Sequence, residues 1–199
     1  MPTRVSRRRF VTAGLATGAA GLFAASRRAA ARDKTPPATP AAGAPAVVTR
    51  GAARPVMVGS WNAAKFTNGG PRTGIAEAYE KMLRGDDVLD ALLAGVAILE
   101  LDPTEDSVGY GGLPNADGVV QLDACCMHGP TRRAGGVAAL EGVRTPSKVA
   151  RAVLDETDHH LLVGRGAQEF ARRLGFTIED DLNTEHSRRL WLEWKRRLD

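Results

Sequence analysis

Cysteine is almost absent from these 199 residues: Cys125 and Cys126 are the only two, and they are adjacent. Neighbouring Cα atoms lie about 3.8 Å apart, closer than an easy disulfide allows. On a strand the two side chains would face opposite sides. A disulfide scaffold is therefore excluded, and the pair reads as small packing residues. Metal-ligand spacing is missing too. His128, His159 and His160, even with Asp123 nearby, form no C-x-x-C or H-x-x-x-H pattern, so neither a metal nor another cofactor is expected. The apolar run Val11–Ala25 is too short and too weakly apolar for a stable membrane span. No internal repeat occurs.

The formal net charge of +4 invites a nucleic-acid reading, but its source is local. Ser6-Arg7-Arg8-Arg9-Phe10-Val11 carries a twin-arginine pattern, followed by the Gly/Ala-rich run and by Ala29-Ala30-Ala31, small residues that a signal peptidase accepts. Cleavage after Ala31 removes Arg4, Arg7, Arg8, Arg9, Arg27 and Arg28 and no acid, leaving 21 basic against 23 acidic residues. A nucleic-acid partner is thus not expected. Residues 1–31 read as a twin-arginine signal peptide, which implies a periplasmic or secreted protein. Residues 32–54 read as a Pro/Ala-rich disordered linker, as in Thr35-Pro36-Pro37-Ala38-Thr39-Pro40. The folded domain is expected over 55–199.

Within it, Pro55-Val56-Met57-Val58-Gly59-Ser60-Trp61 predicts a buried first strand. Thr73 to Leu83 predicts a helix stopped by Gly85. Asp86 or Asp87 caps a second helix, whose stripe of Val88, Leu89, Leu92, Leu93, Val96 and Leu99 ends before Pro103. The stretch from Asp106 to His128 reads as a hairpin. Its turn, Pro114-Asn115-Ala116-Asp117-Gly118, lies between a first arm rich in glycine (Gly109, Gly111, Gly112) and a second arm ending Leu122-Asp123-Ala124-Cys125-Cys126-Met127-His128. After a turn at Gly129-Pro130 the chain extends again over Gly135–Leu140. Thr145-Pro146 opens a helix, Leu161–Val163 is a short buried strand, and Gly164–Leu174 is a helix closed by Gly175. A last helix starts at Asn183 or Thr184 and carries Trp191 and Trp194 on one face. Strands and helices intermix, so the fold class is α+β.

Seven segments, in order and suitably spaced, resemble the α-subunit region of glycosylasparaginases. These are the asparaginase-like N-terminal-nucleophile hydrolases that cleave the amide between N-acetylglucosamine and asparagine. The segments are Ser60-Trp61-Asn62, Asp86-Asp87-Val88-Leu89-Asp90-Ala91, Asp102-Pro103-Thr104-Glu105, Ser107-Val108-Gly109-Tyr110-Gly111-Gly112, Leu122-Asp123-Ala124-Cys125, Val149-Ala150-Arg151-Ala152-Val153 and His160-Leu161-Leu162-Val163-Gly164. The resemblance implies an αββα four-layer sandwich. It also implies self-cleavage before an internal threonine, whose hydroxyl then attacks the amide with its own α-amino group as base.

Two positions carry over. Trp61 matches a tryptophan lining the substrate pocket, and Ser107 matches a serine that helps hold the nucleophile's α-amino group. By residue type alone, a tryptophan closing a strand is ordinarily core, and a serine before glycines is ordinarily turn chemistry. The self-cleavage pattern of the family, an Asp-Thr dipeptide, occurs nowhere in the 199 residues. The expectation is therefore an incomplete sandwich with no catalytic residue of its own, inactive alone. Its expected partner is a β part bearing the threonine, in an αβ hetero-oligomer acting on a small glycosyl-asparagine or asparagine-like substrate. The alternatives are half of an isoaspartyl peptidase or L-asparaginase, and a truncated remnant without catalysis.

Overall fold

A computed structural model describes residues 54–198. The twin-arginine leader and the linker up to residue 53 lie outside the described residues.

Two helices open the fold. Helix α1, Gly74–Leu83, starts where the Thr73 hydroxyl accepts the Ala76 N–H at 3.4 Å. Helix α2, Val88–Leu101, starts where Asp87 Oδ1 accepts from Leu89 N (2.9 Å) and Asp90 N (3.2 Å). That carboxylate fills two of the four donor positions a helix start leaves free. The two helices meet through glycine: a Cβ on Gly74 would lie 2.6 Å from the Gly95 carbonyl oxygen, and a Cβ on Gly95 would collide with the Gly74 oxygen. Only bare backbone allows this approach.

Strand β1, Leu122–His128, pairs antiparallel with β2, Arg133–Leu140, through the turn at Gly129–Arg132. Helix α3, Pro146–Glu156, then crosses the sheet and returns the chain to β3, Leu162–Val163, which pairs parallel to β2. Helices α4, Gly164–Arg173, and α5, Glu185–Arg196, complete the order. The sheet order is β1-β2-β3. Val137 and Leu140 of β2 pack on Val149, Ala150 and Val153 of α3 and on Ala167 and Ala171 of α4. The opposite sheet face shows Cys125, exposed, and Met127, 73% exposed.

Five local expectations change. Pro55–Ser60 has no regular secondary structure and joins no sheet among the described residues, Trp61 already belongs to a 3₁₀ turn, and Val56 and Val58 are exposed rather than buried. Periodicity can mark an apolar segment but cannot supply the neighbouring strand that a ladder needs. The first arm of the expected hairpin, 106–113, is a series of bends and turns, because Gly109 and Gly111 adopt positive φ (61° and 88°). Its 115–118 turn does form, with Gly118 N donating to Asn115 O at 3.0 Å. Thr145 makes no side-chain cap. Instead, Glu100 from α2 accepts both the Ser147 N–H (2.8 Å) and the Ser147 hydroxyl (2.7 Å) at the start of α3. The strand over Leu161–Val163 is only partly buried, since Leu161 and Val163 are exposed. Of the cysteines, Cys126 packs against the core while Cys125 does not.

The described residues thus form a mixed α/β unit around one three-stranded sheet. Among them no helix is long and apolar enough to cross a membrane.

Candidate functional site

The glycine-rich segment is a loop folded back on the end of α2. Tyr110 N donates to Glu100 O (2.7 Å), Leu113 N to Asp106 O (2.8 Å) and Gly111 N to Leu182 O (2.9 Å). At Gly109 a Cβ would run into the Glu100 backbone, so no larger residue fits that close crossing. The Arg144 guanidinium lies 3.8 Å from the centre of the Tyr110 ring and forks onto Glu179 (Nε–Oε1 2.6 Å, Nη2–Oε2 2.7 Å). The hydrogen bonds from Arg144, with its charge, hold the Glu179 carboxyl below the usual carboxylate range. The loop is therefore fixed at both its aromatic and its glycine positions.

Upstream of it, Asp102 pins the Asn68 turn. Its carboxylate accepts from Asn68 N (2.7 Å), Thr104 N (3.0 Å) and Thr104 Oγ1 (2.6 Å). Burial pushes this carboxyl up, but the hydrogen bonds outweigh it and leave the pKa lowered. A hollow of about 610 Å³ opens between Lys65–Gly69 and Asp102–Thr104. Neither Trp61 nor Ser107 lines it, so the hollow and the expected site residues are neighbours and not one cavity.

Trp61 begins a 3₁₀ turn, Trp61–Ala64, and its side chain is 74% exposed. That exposure removes the core reading of this tryptophan. Lys65 Nζ sits 4.8 Å above the indole and 4.6 Å above the Phe66 ring, a cation–π arrangement that orients the indole at the surface. The next residue, Asn62, reaches across to the loop. Its Nδ2 donates to Ser107 Oγ at 3.2 Å and to Glu105 Oε1 at 3.4 Å. Ser107, itself exposed, donates to Glu105 Oε1 through its backbone N (3.0 Å) and through its hydroxyl. Glu105 is only 3% exposed.

The two expected site residues, 46 positions apart, are thus tied through Asn62. Asn62 and Glu105 were the residues the sequence reading passed over. Both stand inside segments that carry the resemblance, which was the available signal, but nothing in spacing linked them to Ser107.

A hydroxyl–imidazole–carboxylate set also escaped the spacing argument. His128 Nδ1 lies 2.9 Å from Thr131 Oγ1 and Nε2 lies 3.0 Å from Asp87 Oδ2. It joins the β1–β2 turn to the cap of α2. Among the described residues no group of three or more His, Cys, Asp or Glu is placed to hold a metal ion.

A family profile described as Asparaginase matches residues 44–198. The chain belongs to the asparaginase family. It is 43% identical over 141 residues to N(4)-(Beta-N-acetylglucosaminyl)-L-asparaginase of Elizabethkingia miricola, covering 71% of this chain and 39% of that one. The plant-type L-asparaginase of Pyrococcus abyssi is 41% identical over 129 residues, 65% of this chain and 41% of its own. The isoaspartyl peptidase/L-asparaginase of Rattus norvegicus is 39% identical over 115 residues, 57% and 34% respectively. The chain spans about two fifths of the length of the first two relatives.

Proposed function

We propose that this chain forms the α part of an amidohydrolase of glycosylasparaginase type, cleaving the amide between N-acetylglucosamine and asparagine. The observation that carries this is the Trp61–Asn62–Ser107 arrangement: an exposed indole and an exposed hydroxyl, linked because Asn62, next to Trp61 in the chain, donates its amide to Ser107 Oγ. The indole would line the substrate pocket, and Ser107 would hold the α-amino group of a nucleophilic threonine. That threonine would come from a β part outside these 199 residues, which contain no Asp-Thr dipeptide. The exposed sheet face around Cys125 and Met127 would then receive the second sheet of an αββα sandwich. Relatives named as plant-type L-asparaginase and isoaspartyl peptidase support the neighbouring reading, with asparagine or an isoaspartyl peptide as substrate. The twin-arginine leader would place the enzyme in the periplasm or outside the cell.

Co-expression with a chain beginning at the family-type threonine tests this. Release of N-acetylglucosaminylamine from aspartylglucosamine is the expected result, with no turnover by residues 32–199 alone. Turnover by the isolated chain would refute the assignment of the nucleophile to a second part. Hydrolysis confined to asparagine or isoaspartyl peptides would move the enzyme to the neighbouring class.

A further inference from the structure

Ser107 has one hydroxyl proton and two lone pairs. The proton goes to Glu105 Oε1, and one lone pair takes the Asn62 Nδ2 hydrogen at 3.2 Å. What the exposed side of this hydroxyl can still offer is a lone pair. Glu105 is held for that task. Its backbone N donates to Asp102 O at 3.1 Å, its Oε1 collects the Ser107 N–H at 3.0 Å, and its side chain is almost wholly buried. Oε1 already accepts the Ser107 N–H and is therefore an acceptor, so Ser107 cannot turn its proton outward without abandoning that partner.

We infer that Glu105 is a positioning residue that makes Ser107 a dedicated hydrogen-bond acceptor. The group that docks on Ser107 is then a hydrogen-bond donor, as an amine or ammonium is. A carbonyl or carboxylate would meet lone pair against lone pair. This rests on the hydrolase reading above and deepens it, because it selects the nucleophile's amino group, and not the substrate's carboxylate, as the partner of Ser107. Asn62 completes the arrangement by fixing the other lone pair, and it follows Trp61 directly, so the same turn places the indole and tunes the hydroxyl.

In the enzyme assembled with the threonine-bearing chain, Glu105→Ala should lower kcat about tenfold or more with KM unchanged, the size expected for losing a hydrogen bond to a charged group. Glu105→Gln keeps an acceptor oxygen and should stay within about threefold of the wild type. The double variant Glu105→Ala/Ser107→Ala should be no slower than Ser107→Ala alone, since both act through one hydroxyl. Equal losses for Gln and Ala would overturn the acceptor role, and multiplying losses in the double variant would overturn action through Ser107.

A readout that needs no activity accompanies these. In the single chain, exchange of the Ser107 backbone N–H and the Asn62 side-chain amide should quicken about tenfold in Glu105→Ala. The Ser147 N–H, on the far side of the loop, reports that the fold is intact and should not change. Unchanged exchange at Ser107 and Asn62 would overturn the inference. If no wild-type assembly turns over substrate while these exchange rates behave as expected, the hydrolase reading fails and the Glu105–Ser107 device stands.

Discussion

Glu100 offers the sharpest test of how this fold is held. It is a glutamate on α2 with 2% of its surface exposed, and it caps α3 by taking the Ser147 N–H at 2.8 Å and the Ser147 hydroxyl at 2.7 Å. A negative group at a helix start is favoured by the free N–H groups and the helix dipole. Burial nonetheless pushes the Glu100 carboxyl above its ordinary range, while the Ser147 bonds and the Lys148 charge pull the other way.

Glu100→Ala orphans two buried donors at about 1–3 kcal/mol each and removes one packed methylene, while it relieves the desolvated carboxyl. The net expected loss is about 3 kcal/mol, or a fall in Tm of about 10 °C for a domain of this size. Glu100→Gln should behave differently. Its oxygen still accepts from Ser147 N, and its amide donates to the Ser147 oxygen, so at neutral pH its stability should lie within about 1 kcal/mol of the wild type.

The pH dependence separates the two ideas further. With its pKa raised on folding, Glu100 stays protonated in the folded chain after the unfolded chain has ionised. Its contribution is therefore full below the ordinary glutamate range and is lost as pH rises from there through the raised value. The Gln variant has no such loss, so its stability relative to the wild type should improve across that window. Thermal unfolding followed by circular dichroism from acidic to neutral pH measures this. A Gln variant as damaged as the Ala variant, or one whose relative stability falls with pH through that window, would refute the reasoning.

Gly95→Ala drives a Cβ into the Gly74 carbonyl across the α1–α2 crossing; a loss of about 1–3 kcal/mol is expected, read from a denaturant midpoint. Full wild-type stability would mean the helices slide apart freely. In the assembled enzyme, Trp61→Ala should raise KM several-fold with little change in kcat, because the exposed indole can contact substrate but moves no proton; steady-state kinetics on aspartylglucosamine decide it, and a pure kcat defect would count against a binding role. Replacing Arg7 and Arg8 together by lysine should leave precursor in the cytoplasm, as seen by cell fractionation. Normal export of that variant would remove the argument for the location.

Local chemistry was readable directly from the chain. Asp87 before Val88-Leu89, Thr73 before Gly74, and Thr184 three residues before Ser187 each become a helix cap, because a short polar side chain satisfies N–H groups only two or three residues ahead. The cysteines could be read as uncrosslinked for the same reason: adjacency fixes their separation whatever the fold does. Residues 106–113 and 145 went otherwise because their partners are distant in sequence. The glycine arm bends to sit against the Glu100 backbone, and α3 takes its cap from Glu100 instead of its own Thr145. The site divides along the same line. Motif order picked out Trp61 and Ser107, each by its own neighbours. Only the tertiary structure carried Asn62 across 45 positions to the Ser107 oxygen and buried Glu105 beneath it. A hydrogen bond's direction depends on which groups meet in space, and no local spacing encodes that meeting.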